Sequence, residues 1–297
     1  MCIRDSSLID PPVSLDVHMS KEGQDFDCIE CHDTIDHLIA GNSMFDSPGG
    51  DNHLECASCH DDDPHEKRIL NWHGKSIACQ TCHIPTIARD NPTLVWWDWT
   101  TAGSGREVVK DENGMNTFDN LKGTFAWQKN LMPTFLWYNG SSTHYMKGDA
   151  MNPDGVTHLN KPQGTRLDPR AKIHPFKVMR GKQAYDKKNH VLVITKLHGP
   201  TGLWENGFDW DEAITEGMKS AEIEYSGEYG FAETESWWKI NHMVAPSENA
   251  LKCVACHDKN EQGRLDWTAL GYTGDPSLAR GVSRFELQDA YRDVHVD

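Results

Sequence analysis

The sequence predicts a mainly α-helical protein with much irregular chain and a small β-hairpin content. Four short cysteine motifs have the spacing of one helical turn, and an apolar stripe at helical spacing lies in the last third of the chain. Hydrophobic residues make up only 37% of the 297 positions, which is lean for this length. We therefore expect the chain to form a thin shell around something other than its own side chains.

Eight of the nine cysteines form four C-x-x-C pairs, and a histidine follows each pair directly. The motifs are CIECH (28–32), CASCH (56–60), CQTCH (79–83) and CVACH (253–257), called here the first to fourth motifs. Cysteines three positions apart lie on one face of a helical turn, where both can reach the two vinyl groups on one porphyrin edge. The next residue can then coordinate the iron through its imidazole.

This spacing predicts four covalently bound haems c. The predicted attachment residues are Cys28, Cys31, Cys56, Cys59, Cys79, Cys82, Cys253 and Cys256. The predicted proximal iron ligands are His32, His60, His83 and His257.

Zinc is the main alternative, because two C-x-x-C pairs can supply four thiolates. Zinc does not require the histidines, however. With 16 histidines in 297 residues, four chance occurrences after the pairs have a probability of roughly 10⁻⁵. Thioredoxin-like pairs would not occur four times, and structural disulfides would not keep this spacing.

The chain divides into four predicted segments. Residues 1–6 (MCIRDS) match the translation of a sequencing adapter, so we expect the native chain to begin near Ser7 and Cys2 to have no role. Residues 7–90 form a three-haem cluster with short linkers. Residues 91–200 form a Trp-rich irregular and β-hairpin insertion, and residues 201–297 a helical segment with the fourth haem.

Local patterns predict individual elements. The sequence DENG (111–114) indicates a hairpin turn, and residues 187–189 a turn before a strand at 190–197. A helix is expected from Asp209 or Asp211 to about Gly227, and a second over 233–244, stopped by Pro246. Residues 263–276 are expected to be ordered but irregular.

Each haem iron needs a second axial ligand or an open position. Twelve histidines lie outside the motifs, and this surplus favours bis-histidine ligation over a His/Met pair such as one with Met179. Several are interleaved with the motifs, where a ligand closes only a short loop. The candidate distal ligands are His18, His37, His65, His73, His242, His53 and His174.

Covalent haem attachment takes place outside the cytoplasm, so the protein is expected in the periplasm or another extracytoplasmic compartment of a bacterium or archaeon. The formal charge of −16 argues against a nucleic-acid partner. It fits either solubility or docking of a basic redox protein. No apolar run reaches the roughly 20 residues of a membrane helix.

The chain resembles the octahaem tetrathionate reductase family of multihaem cytochromes. The resemblance is carried by segments such as DVHM (16–19), NWHGKSIACQTCHIP (71–85), PFKVMRGKQAYD (175–186), INHMVAP (240–246) and GRLDWTALGYTGDP (263–276). It implies a mostly helical periplasmic protein in which bis-histidine haems serve one lysine-ligated catalytic haem. It also implies tetrathionate, nitrite or hydroxylamine as substrate and a redox protein or quinol-linked donor as partner.

The family pattern has eight haems and this chain has four motifs. We therefore expect that the haem-bearing N-terminal half, with the catalytic haem, is missing, and no catalytic residue is assigned here. The chain would then be the electron-transfer half of a reductase. A carrier or filament cytochrome without catalysis of its own is the alternative.

Overall fold

The computed structural model describes residues 5–36, 38–39, 41, 54–258, 260, 262–278 and 284–288. The helices are α1 (Cys28–Cys31), α2 (Arg68–Gly74), α3 (Cys79–His83) and α4 (Trp210–Ser220). Single 3-10 turns lie at Asp5–Leu8, Cys56–Ser58, Trp99–Thr101, Ser247–Asn249 and Cys253–Ala255. Within this described part, no helix has the length and apolar character needed to cross a membrane.

Most of the strands are short, and the two long ones, Lys172–Asp186 and Tyr229–Lys239, pair with each other. The strands are β1 (Thr34–Ile35), β2 (Leu38–Ile39), β3 (Thr93–Asp98), β4 (Phe118–Asp119), β5 (Gly123–Gln128), β6 (Thr134–Tyr138), β7 (Ser142–His144), β8 (Thr157–His158), β9 (Asn160–Pro162), β10 (Lys172–Asp186), β11 (Val191–Leu192) and β12 (Tyr229–Lys239). Among the described residues, eight of them form one sheet. Its order is β4–β5–β3–β10–β12–β8, with β6 and β11 also paired to β10.

The centre of this sheet is the antiparallel pair β10 and β12, which stays in register from Phe176↔Lys239 to Asp186↔Tyr229. The sheet is mixed, because β3 runs parallel to β10 and β8 parallel to β12. Gly181 allows the close approach of β3, since a Cβ there would lie 2.5 Å from the carbonyl oxygen of Trp97.

The expectation of a mainly helical fold is wrong, because the sheet is the largest element of the described chain. The helix predicted over 233–244 is instead the second half of β12 and the loop after it. Five of the six positions from Ala232 to Trp237 are buried, so the strand lacks the alternation of a half-exposed strand. Its buried carboxylate, Glu235, is paired with Arg180 and His158.

Other predicted elements occur with different bounds. Helix α4 begins after Asp209, whose side chain accepts a hydrogen bond from the Glu212 amide at 3.1 Å. It ends at Ser220, and its fully buried Ile214 and Met218 pack beside β10 and β11. The turn at 187–189 joins β10 to β11, but the strand predicted over 190–197 is only two residues long.

One end of the central strand pair positions two of the motifs. Helix α3, which carries the third motif, docks on the start of β10: Thr81 Oγ1 donates to the carbonyl oxygen of Ile173 at 2.8 Å. At the same end of the sheet β12 finishes at Lys239, and His242 lies three residues further on. The Leu251 amide donates to the Cys82 carbonyl oxygen at 2.9 Å, which docks the chain before the fourth motif on the third.

Candidate functional site

Each motif forms one helical turn, as its spacing predicts. The first and third lie on α1 and α3, and the second and fourth on 3-10 turns. The backbone amide of the motif histidine donates to the carbonyl oxygen of the first cysteine at 2.8 Å for His32 and at 2.9 Å for His60 and His257. None of the eight motif cysteines is in a disulfide, so both sulfurs of each turn are available for thioether bonds.

Each motif histidine faces one histidine from elsewhere in the chain. The ring centroids are 6.1 Å apart for His32 and His242, 6.1 Å for His18 and His60, 6.0 Å for His65 and His83, and 6.1 Å for His73 and His257. The angles between ring planes range from 23° to 59°. The spacing is therefore constant while the relative rotation of the rings is not.

This spacing fits one iron between each pair of rings. A metal–imidazole bond is about 2 Å long and the ring centroid lies about 1 Å beyond the nitrogen, so two imidazoles on opposite sides of one metal have centroids roughly 6 Å apart. Ordinary aromatic packing also covers this distance. Packing alone, however, gives no reason for each of the four motif histidines to find a separate histidine at the same separation.

His65 is held through both its backbone and its ring. Asn71, on α2, accepts hydrogen bonds at Oδ1 from the His65 amide (2.9 Å) and lies 3.1 Å from its Nδ1, and Asn71 Nδ2 donates to the His65 carbonyl oxygen (2.7 Å). With a proton on Nδ1 shared with this amide, the His65 Nε2 lone pair is free to bind a metal.

The fourth motif has a charged partner behind its histidine. His257 Nδ1 lies 2.7 Å from Oδ1 of Asp275, a residue only 2% exposed. Burial acts to raise the pKa of Asp275, but hydrogen bonds from the Ser277 amide and His257 outweigh it and the pKa is lowered. The ring of Trp267 stacks on the His257 ring with centroids 5.3 Å apart.

The loops that carry His18 and His242 meet at Asp16. The Asp16 carboxylate accepts backbone hydrogen bonds from His18 and Met19 on one oxygen and from Met243 and Val244 on the other. Arg89 adds a second link. Its guanidinium donates to the carbonyl oxygens of Leu15 and Met243.

One histidine in each of two pairs, His73 and His83, has a lowered pKa. Burial lowers the pKa of His73, and the neighbouring His257 lowers it further. Burial likewise lowers the pKa of His83, with smaller effects from His65 and His60. A histidine must be neutral to bind a metal, so this environment favours coordination.

Neighbouring motifs approach one another through their cysteines. A hydrogen bond between the Cys56 and Cys79 thiols lowers the pKa of Cys79 to about 6 and raises that of Cys56. Burial raises the pKa of Cys82 to about 11, and Cys256 adds to the shift. Burial also raises the pKa of Cys31, and the nearby Cys59 raises it further. The motifs are thus adjacent in the order first, second, third and fourth.

The structure brings four of the seven candidate distal histidines opposite a motif histidine: His18, His65, His73 and His242. The candidate His174 lies instead against Tyr138 in a perpendicular ring contact. His37 and His53 lie outside the described residues. Sequence reasoning missed Asp16, Asn71 and Asp275, since no local pattern marks a residue that hydrogen-bonds a ligand or its backbone.

Four cysteine turns, each facing a second imidazole across a gap that fits one iron, define a c-type cytochrome with several haems. The family model for bacterial cytochrome c matches residues 94–260, more than half of the chain, and the chain belongs to this family. It therefore binds haem c covalently.

The fold is similar to the crystal structure of an octahaem cytochrome c from Shewanella oneidensis, with a TM-score of 0.87 and 47% sequence identity. The match covers 94% of this chain and 65% of the Shewanella chain, so the chain spans slightly less than two thirds of that protein. No curated protein matches the chain. The relatedness places this chain among the multihaem c-type cytochromes.

Proposed function

We propose that the chain holds four haems c, each with two histidine ligands, and carries electrons between them outside the cytoplasm. The observation that supports this most strongly is the set of four imidazole pairs with centroids 6.0 to 6.1 Å apart, one for each motif. The ligand pairs are His32 with His242, His60 with His18, His83 with His65 and His257 with His73. Each bound haem c supplies a one-electron redox centre.

The protein's own contribution is to fix the sites and to hold them close together. The Cys56 and Cys79 sulfurs are neighbours, so the second and third motifs meet at their attachment edges. The Leu251 amide links the third and fourth motifs, and Asp16 links the loops that complete the first and second. Two imidazoles at every site leave no position for substrate, which suits electron transfer rather than catalysis at these sites.

We further propose that the chain serves as the electron-transfer part of an octahaem reductase of the tetrathionate, nitrite or hydroxylamine type. The Shewanella relative is an octahaem cytochrome, and this chain carries four motifs. Its physiological donor would be a redox protein or a quinol-linked enzyme. The formal charge of −16 would favour a basic protein surface for docking.

Haem content tests the first proposal. The chain is produced in a bacterial periplasm with the cytochrome c maturation system, and haem is quantified by the pyridine haemochrome spectrum and by intact mass. We expect four haems per chain and a low-spin absorption spectrum. The absence of a c-type haemochrome band, or stoichiometric zinc by elemental analysis, would refute the assignment.

Reoxidation kinetics test the second proposal. The reduced protein is mixed with nitrite, hydroxylamine or tetrathionate, and oxidation of the haems is followed by stopped-flow absorption. With every site closed by two histidines, we expect slow reoxidation by these substrates and fast exchange with a small redox protein. Rapid turnover of any of the three substrates would contradict a purely electron-transferring role for this chain.

A further inference from the structure

The histidine of the fourth motif has a buried anionic partner. His257 Nδ1 and Asp275 Oδ1 are 2.7 Å apart, and the same oxygen accepts from the Ser277 amide at 2.8 Å. Asp275 is 2% exposed, and its Oδ2 is buried without a hydrogen-bond partner among the described residues. The negative charge is thus shielded from water and directed at the imidazole.

The third site, formed by His83 and His65, differs from the fourth because the hydrogen-bond partner of its histidine is uncharged. His65 Nδ1 lies 3.1 Å from the amide oxygen of Asn71, which is neutral. Within the described part of the chain, no carboxylate forms an ion pair with His60 or His83. The carboxylate–imidazole hydrogen bond therefore distinguishes the fourth site from the third. At the second site the nearest carboxylate, Asp16 Oδ1, lies 3.9 Å from Nδ1 of His18, beyond hydrogen-bond distance.

We infer that Asp275 is a positioning residue that fixes the Nδ1–H tautomer of His257 and lowers the reduction potential of the haem at the fourth motif. The inference rests on the proposed ligation of that haem by His257. A ligating histidine that donates its other N–H to a carboxylate becomes a more basic ligand. A more basic ligand, with a nearby buried negative charge, stabilises the ferric over the ferrous state.

The physical consequence is an asymmetry along the row of sites. At the fourth site the hydrogen-bond partner of a ligating histidine is an anion, and at the third site it is neutral. This difference in charge favours an electron residing on the haem of the third site. Trp267 reinforces the arrangement by covering one face of the His257 ring and donating from Nε1 to the Cys256 carbonyl oxygen at 3.3 Å. The contact therefore contributes a direction for electron flow from the fourth motif to the third.

The test compares wild type with Asp275→Asn by spectropotentiometric titration of the haem-loaded protein. Asparagine keeps an acceptor oxygen for His257 and Ser277 but removes the charge. We expect one haem to titrate at a more positive potential, with a change of at least tenfold in its oxidised-to-reduced ratio, or about 59 mV for a one-electron couple. Asp275→Glu, which restores the charge, should recover part of the shift.

Asp266→Asn is the matched control. Asp266 is exposed, lies in the same segment and accepts from the Ala269 amide at 2.9 Å, so it carries the same charge change without the imidazole contact. Its potentials should stay at the wild-type values. An equal shift in Asp266→Asn, or four bound haems with unchanged potentials in Asp275→Asn, would overturn the role of Asp275.

A wild-type measurement covers the case in which Asp275→Asn does not fold. In ¹⁵N-histidine-labelled ferrous protein, His257 should show a protonated Nδ1 with a strongly deshielded, slowly exchanging proton. Absence of that proton would overturn the inference. If His257 does not ligate a haem at all, the proposed function fails and not only the role of Asp275. That outcome is recognised separately, because wild-type protein would then contain fewer than four haems or show a high-spin haem.

Discussion

The buried carboxylate of Asp16 accepts a hydrogen bond from the backbone amide of Met243 at 2.8 Å, across 227 positions of sequence. Its other oxygen accepts from the His18 amide at 2.8 Å. His18 faces the second motif, and His242, the neighbour of Met243, faces the first. One side chain thus sets the relative positions of the loops that complete two adjacent sites.

Replacing Asp16 should therefore disturb two sites together. Asp16→Ala leaves four backbone amides without their acceptor, and hydrogen bonds to a charged group contribute about 1.5–3 kcal/mol each. We expect a loss of about 3 kcal/mol or more in the free energy of unfolding, with high-spin ferric absorption from two haems. Denaturant unfolding and absorption spectra measure both effects. Asp90→Ala, at an exposed carboxylate, is the control, and an unchanged low-spin spectrum in Asp16→Ala would contradict the role.

Carbon monoxide binding reports whether each distal histidine closes its site. The ferrous wild-type protein should bind little carbon monoxide, because both axial positions are occupied. Each of four single substitutions should add one binding site per chain: His18→Ala, His65→Ala, His73→Ala and His242→Ala. Titration followed in the Soret band counts these sites.

The control for this series is His198→Ala, at a histidine whose side chain is 75% exposed and paired with Glu205. It should bind no more carbon monoxide than wild type. Stoichiometric binding by the wild-type protein would show an open site and make the chain itself a candidate enzyme. A distal variant that adds no binding site would remove that histidine from the proposed ligand set.

The sequence alone predicts the attachment turns and supplies the right kind of distal candidates, but it does not predict which histidine meets which motif. His18 precedes the first motif yet faces the second, and His242 precedes the fourth yet faces the first. Such pairings depend on contacts between distant segments, of which Asp16 with Met243 is one. Neither the position of a histidine between two motifs nor the length of the loop it would close predicts which motif it faces.

The fold was predicted less well, for a related reason. The strand β10 contains four lysine or arginine residues and one glutamine among its fifteen positions, so it has no period-two pattern of apolar residues. It is a strand because β12 pairs with it over eleven positions and β3 and β6 add to its edges. Helix α4, whose apolar stripe and N-terminal cap are local features, was predicted correctly in type.

Gly41 places its backbone against the ring of His32. A Cβ at Gly41 would lie 3.0 Å from both Cε1 and Nδ1 of His32, and its φ of +114° disfavours any other residue. Gly41→Ala should displace the imidazole and cost about 1–3 kcal/mol of stability. Thermal unfolding and the low-spin electron paramagnetic resonance signal of the first haem measure the effect.

Gly74→Ala is the matched control for this substitution. Gly74 ends α2, and a Cβ there would meet nothing within 4 Å. Alanine is favoured over glycine in a helix by roughly 0.5–1 kcal/mol, so this variant should be neutral or slightly stabilised. Equal effects of the two substitutions would show that the contact between Gly41 and His32 has no special importance.

His174 makes the folded protein sensitive to acid. Burial holds the pKa of His174 well below its usual range, and the charges of Lys239 and Lys172 lower it further. Its Nδ1 is buried without a hydrogen-bond partner among the described residues. As pH falls below about 6.5, the unfolded chain binds a proton here that the folded chain does not, so stability is lost by up to about 1.4 kcal/mol per pH unit.

Two substitutions isolate this contribution. Urea unfolding of wild type should give a free energy that falls between about pH 7.5 and about pH 5, and in His174→Phe this fall should be smaller by up to about 2 kcal/mol. His174→Gln, which is polar but does not titrate, should show the same reduced pH dependence even if its stability at neutral pH differs. Because loss of iron ligands at low pH affects all three proteins alike, only the difference between them reports on His174. A pH dependence identical in wild type and both variants would mean that the folded protein accepts the proton at His174 without cost.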